Sequence, residues 1–470
     1  MVNRAGLVRA ALTLAAVIAS FVIVYAVAQR FGAGAQPAIV AAILAIGLSR
    51  RPRALRGWDF LAVPLVMVCI ALAAAGIGLL LRLSPVFGAI VFTAGMSMAI
   101  WLRNFGPRLQ RAGELLALPL VTMLIVPPPV RGPGGLPVDL GLLACAGLVS
   151  LGCATAFSRF APALPAPPQR ERASRAGFSP ATRMAAQLAV ALGAAFVAGD
   201  VLFPAHWGWT VLTAFIVCSG ALGREDAVYR GILRLAGALA GTIAAGIVTA
   251  LWTPSGPAEA AAIFALLFLG LWLRDANYGY WACCITLILA LLAPVGLGVA
   301  LLGMRLEAIF AGAVCAVLAT WFVSPIRTED VVRRRLADLL VAIDEVVAHV
   351  HGAGAELAAK RAHIEHRIAD LERVAPPVEW HHRLFVRADR RRHPAGWIRI
   401  ARDVSAGARE LEPPGDANDR RRLAVRRAIG VSRRAIADHG KRDAPAPAIP
   451  VGDALDALRD AMSGTSSRPS

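Results

Sequence analysis

Two arginines beside long apolar stretches are the first candidates for binding chemistry. Arg234 and Arg274 border runs of apolar residues, where a charged side chain is costly and therefore often functional. A guanidinium matches a carboxylate as a fork and keeps its positive charge when partly buried, so either residue could bind an organic anion. Both lie near the ends of predicted helices, where arginine can reach water, and we favour this anchoring role over a ligand role.

Three further ionisable residues, Asp200, His206 and Glu307, lie near the opposite ends of the apolar stretches and could exchange protons. Histidine titrates closest to neutral pH. Glu307 is the preferred proton-coupling candidate, because Arg305 is near enough in sequence to keep it ionised. Residues of water-exposed loops would give the same pattern, and this is the interpretation that we favour.

Trp207 and Trp209 are the aromatic candidates, two residues apart at the start of an apolar run. Their rings could stack on an aromatic ligand. Tryptophan is also enriched at membrane–water interfaces, where the ring meets lipid and its N–H meets water. The interfacial role is the preferred interpretation, and ring stacking is the alternative.

Motifs for metals, cofactors and catalysis are missing from the sequence. His363 and His366 share one face of a predicted helix and could hold a metal, but their spacing matches neither a zinc protease nor a zinc finger. A solvated helix face explains them better. No Walker A loop, Rossmann glycine fingerprint or nucleophile elbow occurs. We therefore expect no metal, no cofactor, no catalytic residues and no enzyme activity.

The composition indicates what kind of molecule must position these residues. Of the 470 residues, 57% are hydrophobic and only 17% are charged, which is far from the balance of a soluble domain. The apolar residues gather in blocks of about 20, the length that spans a bilayer. The net charge of +18 comes mostly from arginines between these blocks, so no nucleic-acid partner is needed. The sequence predicts an all-helical, multi-pass membrane protein in contact with the lipid bilayer.

Hydropathy predicts about twelve spans, although ten or eleven remain possible because the fifth is interrupted by prolines. The predicted spans are 8–29, 35–49, 59–81, 84–102, 112–127, 137–157, 181–203, 207–222, 231–252, 258–273, 280–297 and 304–323. With twelve spans, 18 arginines lie on the side of the N-terminus and 4 lie on the other side. The positive-inside rule therefore places both termini in the cytoplasm.

A short internal repeat divides the membrane half. The segment Ile100–Asn104, which reads IWLRN, ends the fourth span, and Leu271–Asp275, which reads LWLRD, ends the tenth. Because six spans are an even number, the two halves would be parallel repeats. The predicted domains are a first six-helix repeat at 1–157, a cytoplasmic linker at 158–180, a second repeat at 181–325 and a helical cytoplasmic tail at 326–470.

One stretch of the second repeat resembles a known family. The segment Trp207–Val217, which reads WGWTVLTAFIV, is followed by a glycine-rich helix that is entered through Arg234 and carries Gly237 and Gly241. This pattern resembles the fusaric acid resistance protein-like family, which is related to aromatic acid exporters. The resemblance is best over about 180–325, and the first half resembles a diverged copy.

The resemblance implies an exporter of small, often aromatic, organic acids in the bacterial inner membrane. Such exporters are commonly driven by the proton gradient and sometimes pair with a periplasmic adaptor protein. We expect the substrate to pass between the two repeats, with Arg274 attracting its carboxylate from the cytoplasm and Arg234 behind it. An anion channel of similar architecture and a non-transporting membrane scaffold are the alternatives. The sequence does not indicate the oligomeric state or the identity of the acid.

Overall fold

The computed structural model describes residues 4–49, 59–125, 135–161, 179–251, 256–274, 276–292, 298–348, 354–385, 393–409, 416–439 and 450–463. Within these ranges every regular element is a helix and no strand occurs. The prediction of an all-α protein is therefore confirmed.

Twelve α-helices precede Pro325. The first six are α1 Arg4–Arg30, α2 Gln36–Ser49, α3 Asp59–Leu83, α4 Pro85–Trp101, α5 Pro107–Ile125 and α6 Gly135–Ser158. The next six are α7 Pro180–Leu202, α8 Trp207–Gly220, α9 Arg224–Leu251, α10 Pro257–Leu273, α11 Tyr278–Leu291 and α12 Gly298–Phe322. A proline at the first position starts several of them, since that position needs no backbone N–H donor.

The lengths and composition of these helices support the predicted multi-pass membrane protein. Among the described residues, seven helices are long and apolar enough to cross a bilayer, namely α1, α3, α4, α6, α7, α9 and α12. Four others, α2, α8, α10 and α11, are apolar but shorter. The remaining one, α5, has charged residues in its first half. Each of the twelve predicted spans overlaps one helix.

The ninth helix begins earlier than the hydropathy pattern predicts. The predicted span starts at residue 231, whereas α9 starts at Arg224. Glu225 and Asp226 lie in its first turn, where negative charge complements the positive end of the helix dipole. The Asp226 carboxylate also accepts a hydrogen bond from the Leu222 backbone N–H at 2.8 Å. Arg234 therefore lies ten residues inside the helix and not near its end.

The two sets of six helices repeat the same arrangement. Matching helices have equal or similar lengths, with 14 residues in both α2 and α8 and 17 in both α4 and α10. In the first set α1, α2 and α6 contact one another, and in the second set α7, α8 and α12 do the same. The contact of α4 with α7 is matched by that of α10 with α1. The two sets are therefore alike in these lengths and contacts, and the division into two parallel repeats stays a prediction.

The glycine-rich face of α9 is filled by α11. A Cβ atom at Gly237 would collide with the backbone oxygen of Gly279, and one at Gly241 would lie 2.6 Å from the backbone oxygen of Cys283. The two helices approach so closely that only glycine fits at these positions. This face of α9 is therefore occupied by α11 and not open to a ligand.

The chain after Pro325 forms a second compact unit, which also includes residues 222–229. Its helices are α13 Thr328–Ala348, α14 Gly354–Glu372, α15 Ala375–Phe385, α16 Pro394–Arg409, α17 Asp416–His439 and α18 Val451–Ser463. The predicted apolar stripe of α13 forms part of its core, together with Trp397 of α16. Arg402 joins three of the helices, because its guanidinium pairs with Glu372 at 2.5 Å and Glu379 at 3.0 Å.

Candidate anion-binding site

Arg305 is a buried cation in the first half of α12. Only 6% of this residue is exposed, and its Nε and Nη2 atoms have no hydrogen-bond partner. The guanidinium carbon lies over the indole ring of Trp209, 4.1 Å from the ring centroid. A cation at this distance is attracted by the negative face of the ring. The contact fixes the guanidinium in place but leaves N–H donors for another ligand.

Arg234 of α9 is the second buried cation and lies near the first. It is 2% exposed, and its Nε atom also has no hydrogen-bond partner. The two arginines are therefore both buried, and they lie on helices that pack against each other. Helix packing explains this placement, because Gly231 brings α9 against α12 at Ala313, where a Cβ on the glycine would lie 3.6 Å from the alanine Cβ. We call Arg234 and Arg305 the arginine pair.

The contact between α8 and α12 adds buried hydroxyl groups to the same region of the fold. Gly312 lies on the face of α12 that carries Arg305, since seven residues make about two turns. A Cβ at Gly312 would collide with the carbonyl oxygen of Thr210 and lie 3.0 Å from the Cβ of Thr213. Both threonine hydroxyls are buried and have no hydrogen-bond partner. They are further donors at this interface.

No carboxylate among the described residues forms an ion pair with either member of the arginine pair. Glu307 was expected to be held ionised by Arg305. Instead, Glu307 is exposed and Arg305 is buried, since positions two apart on an α-helix point in nearly opposite directions. Asp200 at the end of α7 is exposed as well. Within the described part of the chain, neither member of the pair therefore has a carboxylate in direct contact.

The two candidate tryptophans have different surroundings. Trp209 lies under Arg305, whereas Trp207 packs on Phe196 with ring centroids 5.4 Å apart. Phe196 in turn contacts Phe92 at 5.6 Å, so Trp207 belongs to an aromatic cluster between helices. His206 is half-buried just before α8 and makes no capping hydrogen bond with its side chain. Only Trp209 touches the arginine pair.

Arg274 lies at the C-terminal end of α10 and contacts a different ring. Its guanidinium carbon is 5.2 Å from the ring centroid of Trp281 in α11, and the residue is only half-buried. Arg305 is the buried arginine on the helix that packs against α9 beside Arg234. The sequence contained one indication that Arg305 is a candidate, because Arg305 interrupts an apolar run as Arg234 does. Its proximity to Glu307 in sequence made it resemble a simple ion-pair partner.

The two histidines considered as metal ligands face acidic side chains in the second unit. His363 Nδ1 lies 3.6 Å from Glu345 Oε2, and its Nε2 accepts a hydrogen bond from Arg367 at 3.0 Å. His366 Nε2 lies 3.4 Å from Asp370 Oδ2. No group of three or more metal-ligating side chains occurs within the described ranges.

Together, the arginine pair, Trp209, Thr210 and Thr213 give a buried region with positive charge, free N–H and hydroxyl donors and one aromatic face. In low dielectric, guanidinium donors bind carboxylates more strongly than neutral donors do. The arrangement suits a small organic anion and contains no nucleophile paired with a base.

Comparison with known proteins gives one match, over the part of the chain that contains this region. No curated protein matches the chain. Residues 190–319, which run from the middle of α7 to the end of α12 and include the whole arginine pair, match the family model described as fusaric acid resistance protein-like. This match confirms the resemblance found in the sequence and supports membrane transport, not catalysis, as the role of this part of the chain.

Proposed function

We propose that the protein exports small aromatic organic acids across the bacterial inner membrane, with both termini in the cytoplasm. The observation that carries this proposal is the buried arginine pair: Arg305 lies on the face of Trp209, and the Nε atoms of both arginines and Nη2 of Arg305 have no hydrogen-bond partner. In the proposed complex the substrate carboxylate accepts hydrogen bonds from Arg234 and Arg305. Its ring lies beside the indole of Trp209.

The energetics favour a ligand role for these arginines over an anchoring role. An anchoring arginine keeps its head group in water, whereas both members of the pair are almost fully buried. A buried charge without a partner is costly, and a bound carboxylate would offset that cost. Each charge-assisted hydrogen bond is worth about 1.5–3 kcal/mol.

The experiment compares four arginine-to-glutamine substitutions in purified, full-length protein. Phthalate is a suitable probe, because both of its carboxylates are ionised at neutral pH and it crosses lipid slowly by itself. Arg305→Gln and Arg234→Gln should each weaken phthalate binding roughly ten- to hundredfold. Arg183→Gln, at an exposed position in the first turn of α7, is the matched control and should bind as the wild type does.

Arg274→Gln decides between the two arrangements of ligands. The structure pairs Arg274 with Trp281, so this substitution should change phthalate binding by less than about threefold, a fraction of one charge-assisted bond. A loss as large as that of Arg305→Gln would favour the arrangement in which Arg274 binds the carboxylate. Normal binding by all four variants would contradict the proposed site.

An anion channel is the second candidate, and the same arginine pair favours it, since a buried cationic site also suits a pore for anions. The two functions differ in kinetics. A transporter releases one substrate per conformational cycle, so its flux saturates and gives no single-channel current. Stepwise currents carried by phthalate in a planar bilayer would favour the channel.

A further inference from the structure

The arginine pair has a consequence for the transport cycle, which rests on the proposed export function. Arginine does not lose its proton in proteins, so both positive charges persist in every state. The two carboxylates that the sequence offered for this region, Glu307 and Asp200, are both exposed, and no described carboxylate forms an ion pair with either arginine. An empty site would therefore leave two neighbouring cations buried without a counter-charge.

Many transporters return to their starting state with an empty site. Here that step is disfavoured, because two like charges that are buried on adjoining helices repel each other when the site holds no anion. Trp209 lowers this cost but does not remove it, since a ring face attracts a cation much more weakly than an anion does. The returning protein needs a negative charge in the site.

We propose that the arginine pair holds an anion throughout the cycle, so that export is an exchange of the organic acid for a second small anion. The second anion must have at least one accessible negative charge and must be small enough to fit beside Trp209. Chloride and another molecule of the organic acid both meet this requirement. In this mechanism the outward gradient of one anion is coupled directly to the inward movement of another.

The test uses the full-length protein in liposomes loaded with radiolabelled potassium phthalate. Equal pH on both sides removes the proton gradient, and valinomycin with equal potassium holds the membrane potential at zero. Three external media contain potassium polyglutamate, potassium chloride or unlabelled potassium phthalate. Polyglutamate is too large to enter the site and serves as the medium without a counter-anion.

We expect efflux into the polyglutamate medium to be roughly a hundredfold slower than efflux into unlabelled phthalate, because the unpaired buried charges oppose the return step. Fast efflux into chloride would identify an inorganic anion as sufficient, and fast efflux into phthalate alone would identify an organic one. Equal efflux into all three media, or efflux into polyglutamate that needs only an imposed proton gradient, would overturn the exchange. No efflux under any condition would instead contradict the proposed export function.

Three variants connect the exchange to the arginine pair. Arg305→Gln leaves one charge, so the rate difference between phthalate and polyglutamate media should shrink at least about tenfold. Arg305→Lys keeps the charge and should retain the rate difference, even if the loss of the forked guanidinium lowers the affinity for phthalate. Arg183→Gln should behave as the wild type. A folded Arg305→Gln protein with an unchanged rate difference would show that the counter-anion requirement has another origin.

Discussion

Burial of charged side chains is the main finding at the scale of single residues. From the sequence, Arg234 was expected to lie near a helix end and to reach water as an anchoring residue. Arg305 was expected to keep Glu307 ionised. Both expectations fail for a geometric reason. Hydropathy locates the edge of an apolar run, but the helix continues through Glu225 and Asp226, and periodicity alone does not show which face of α12 meets α8. Only tertiary packing brings the arginine pair together.

A first prediction at this scale concerns Trp209. Trp209→Leu removes the ring that contacts Arg305 and should weaken phthalate binding by about three- to thirtyfold, which corresponds to a cation–π or stacking contribution of about 0.7–2 kcal/mol. Calorimetric titration with phthalate and with succinate separates the two effects of the ring. A loss for phthalate alone indicates stacking on the substrate, whereas equal losses indicate an effect through Arg305.

The matched substitution is Trp207→Leu. Because Trp207 packs on Phe196 in an aromatic cluster, this change should lower thermal stability while folded protein keeps its affinity for phthalate. A large loss of affinity in folded Trp207→Leu protein would contradict the separation of the two tryptophans.

A second prediction concerns His393 in the second unit. Burial and the neighbouring rings of His382 and His381 lower the pKa of His393 to about 4, below its usual value near 6.5. Between these two values the unfolded chain binds more protons than the folded one, so stability falls as the pH drops. Hydrogen exchange in α16, corrected for intrinsic rates, should be faster at pH 5 than at pH 7. His393→Gln should remove most of this difference, and an unchanged difference in the variant would contradict the prediction.

At the scale of helices, one close contact determines whether the site forms. Gly312 allows α12 to lie against the carbonyl of Thr210 in α8, which brings Arg305 to Trp209. Gly312→Ala should destabilise the protein by about 1–3 kcal/mol and weaken phthalate binding, because the backbone of α8 must move. Thermal unfolding and phthalate titration measure the two effects.

The control is Gly193→Ala in α7, where a Cβ would meet no atom within 4 Å. In a helix, alanine is favoured over such a glycine by roughly 0.5–1 kcal/mol, so this variant should be at least as stable as the wild type. Equal behaviour of the two variants would show that the contact between α8 and α12 tolerates a larger residue.

Most helices could be predicted from the sequence, because apolar runs and their flanking charges mark the spans directly. The exceptions have physical causes. Proline usually marks the end of a helix in a sequence, but it is tolerated in a first helical turn, and α15 begins at Ala375 with Pro376 and Pro377 in that turn. The glycines of α9 indicated a close approach but not its partner, which the structure identifies as α11.

At the scale of the whole molecule, the two sets of six helices are similar in length but differ in their buried charges. In α12, Arg305 lies seven positions after the first residue of the helix. The residue at the same position of α6, the matching helix of the first set, is Leu142, which is uncharged and only 3% exposed. The arginine pair and Trp209 all lie on helices of the second repeat. The proposed site therefore lies within the second set of six helices and not between the two sets, and residues 190–319, which match the family model, include it.

The orientation of the whole molecule gives the last prediction. With parallel six-helix repeats and the arginine-rich loops in the cytoplasm, Gly134 should be periplasmic, and Arg170 and Ser470 should be cytoplasmic. These three positions lie outside the described residues, so labelling must decide. In a background without the seven native cysteines, an impermeant maleimide should label Gly134→Cys in intact cells. Arg170→Cys and Ser470→Cys should react only after the membrane is permeabilised. Strong labelling of Arg170→Cys in intact cells would contradict both the orientation and the number of spans, because Arg170 lies between the two repeats and its side follows from the six helices before it.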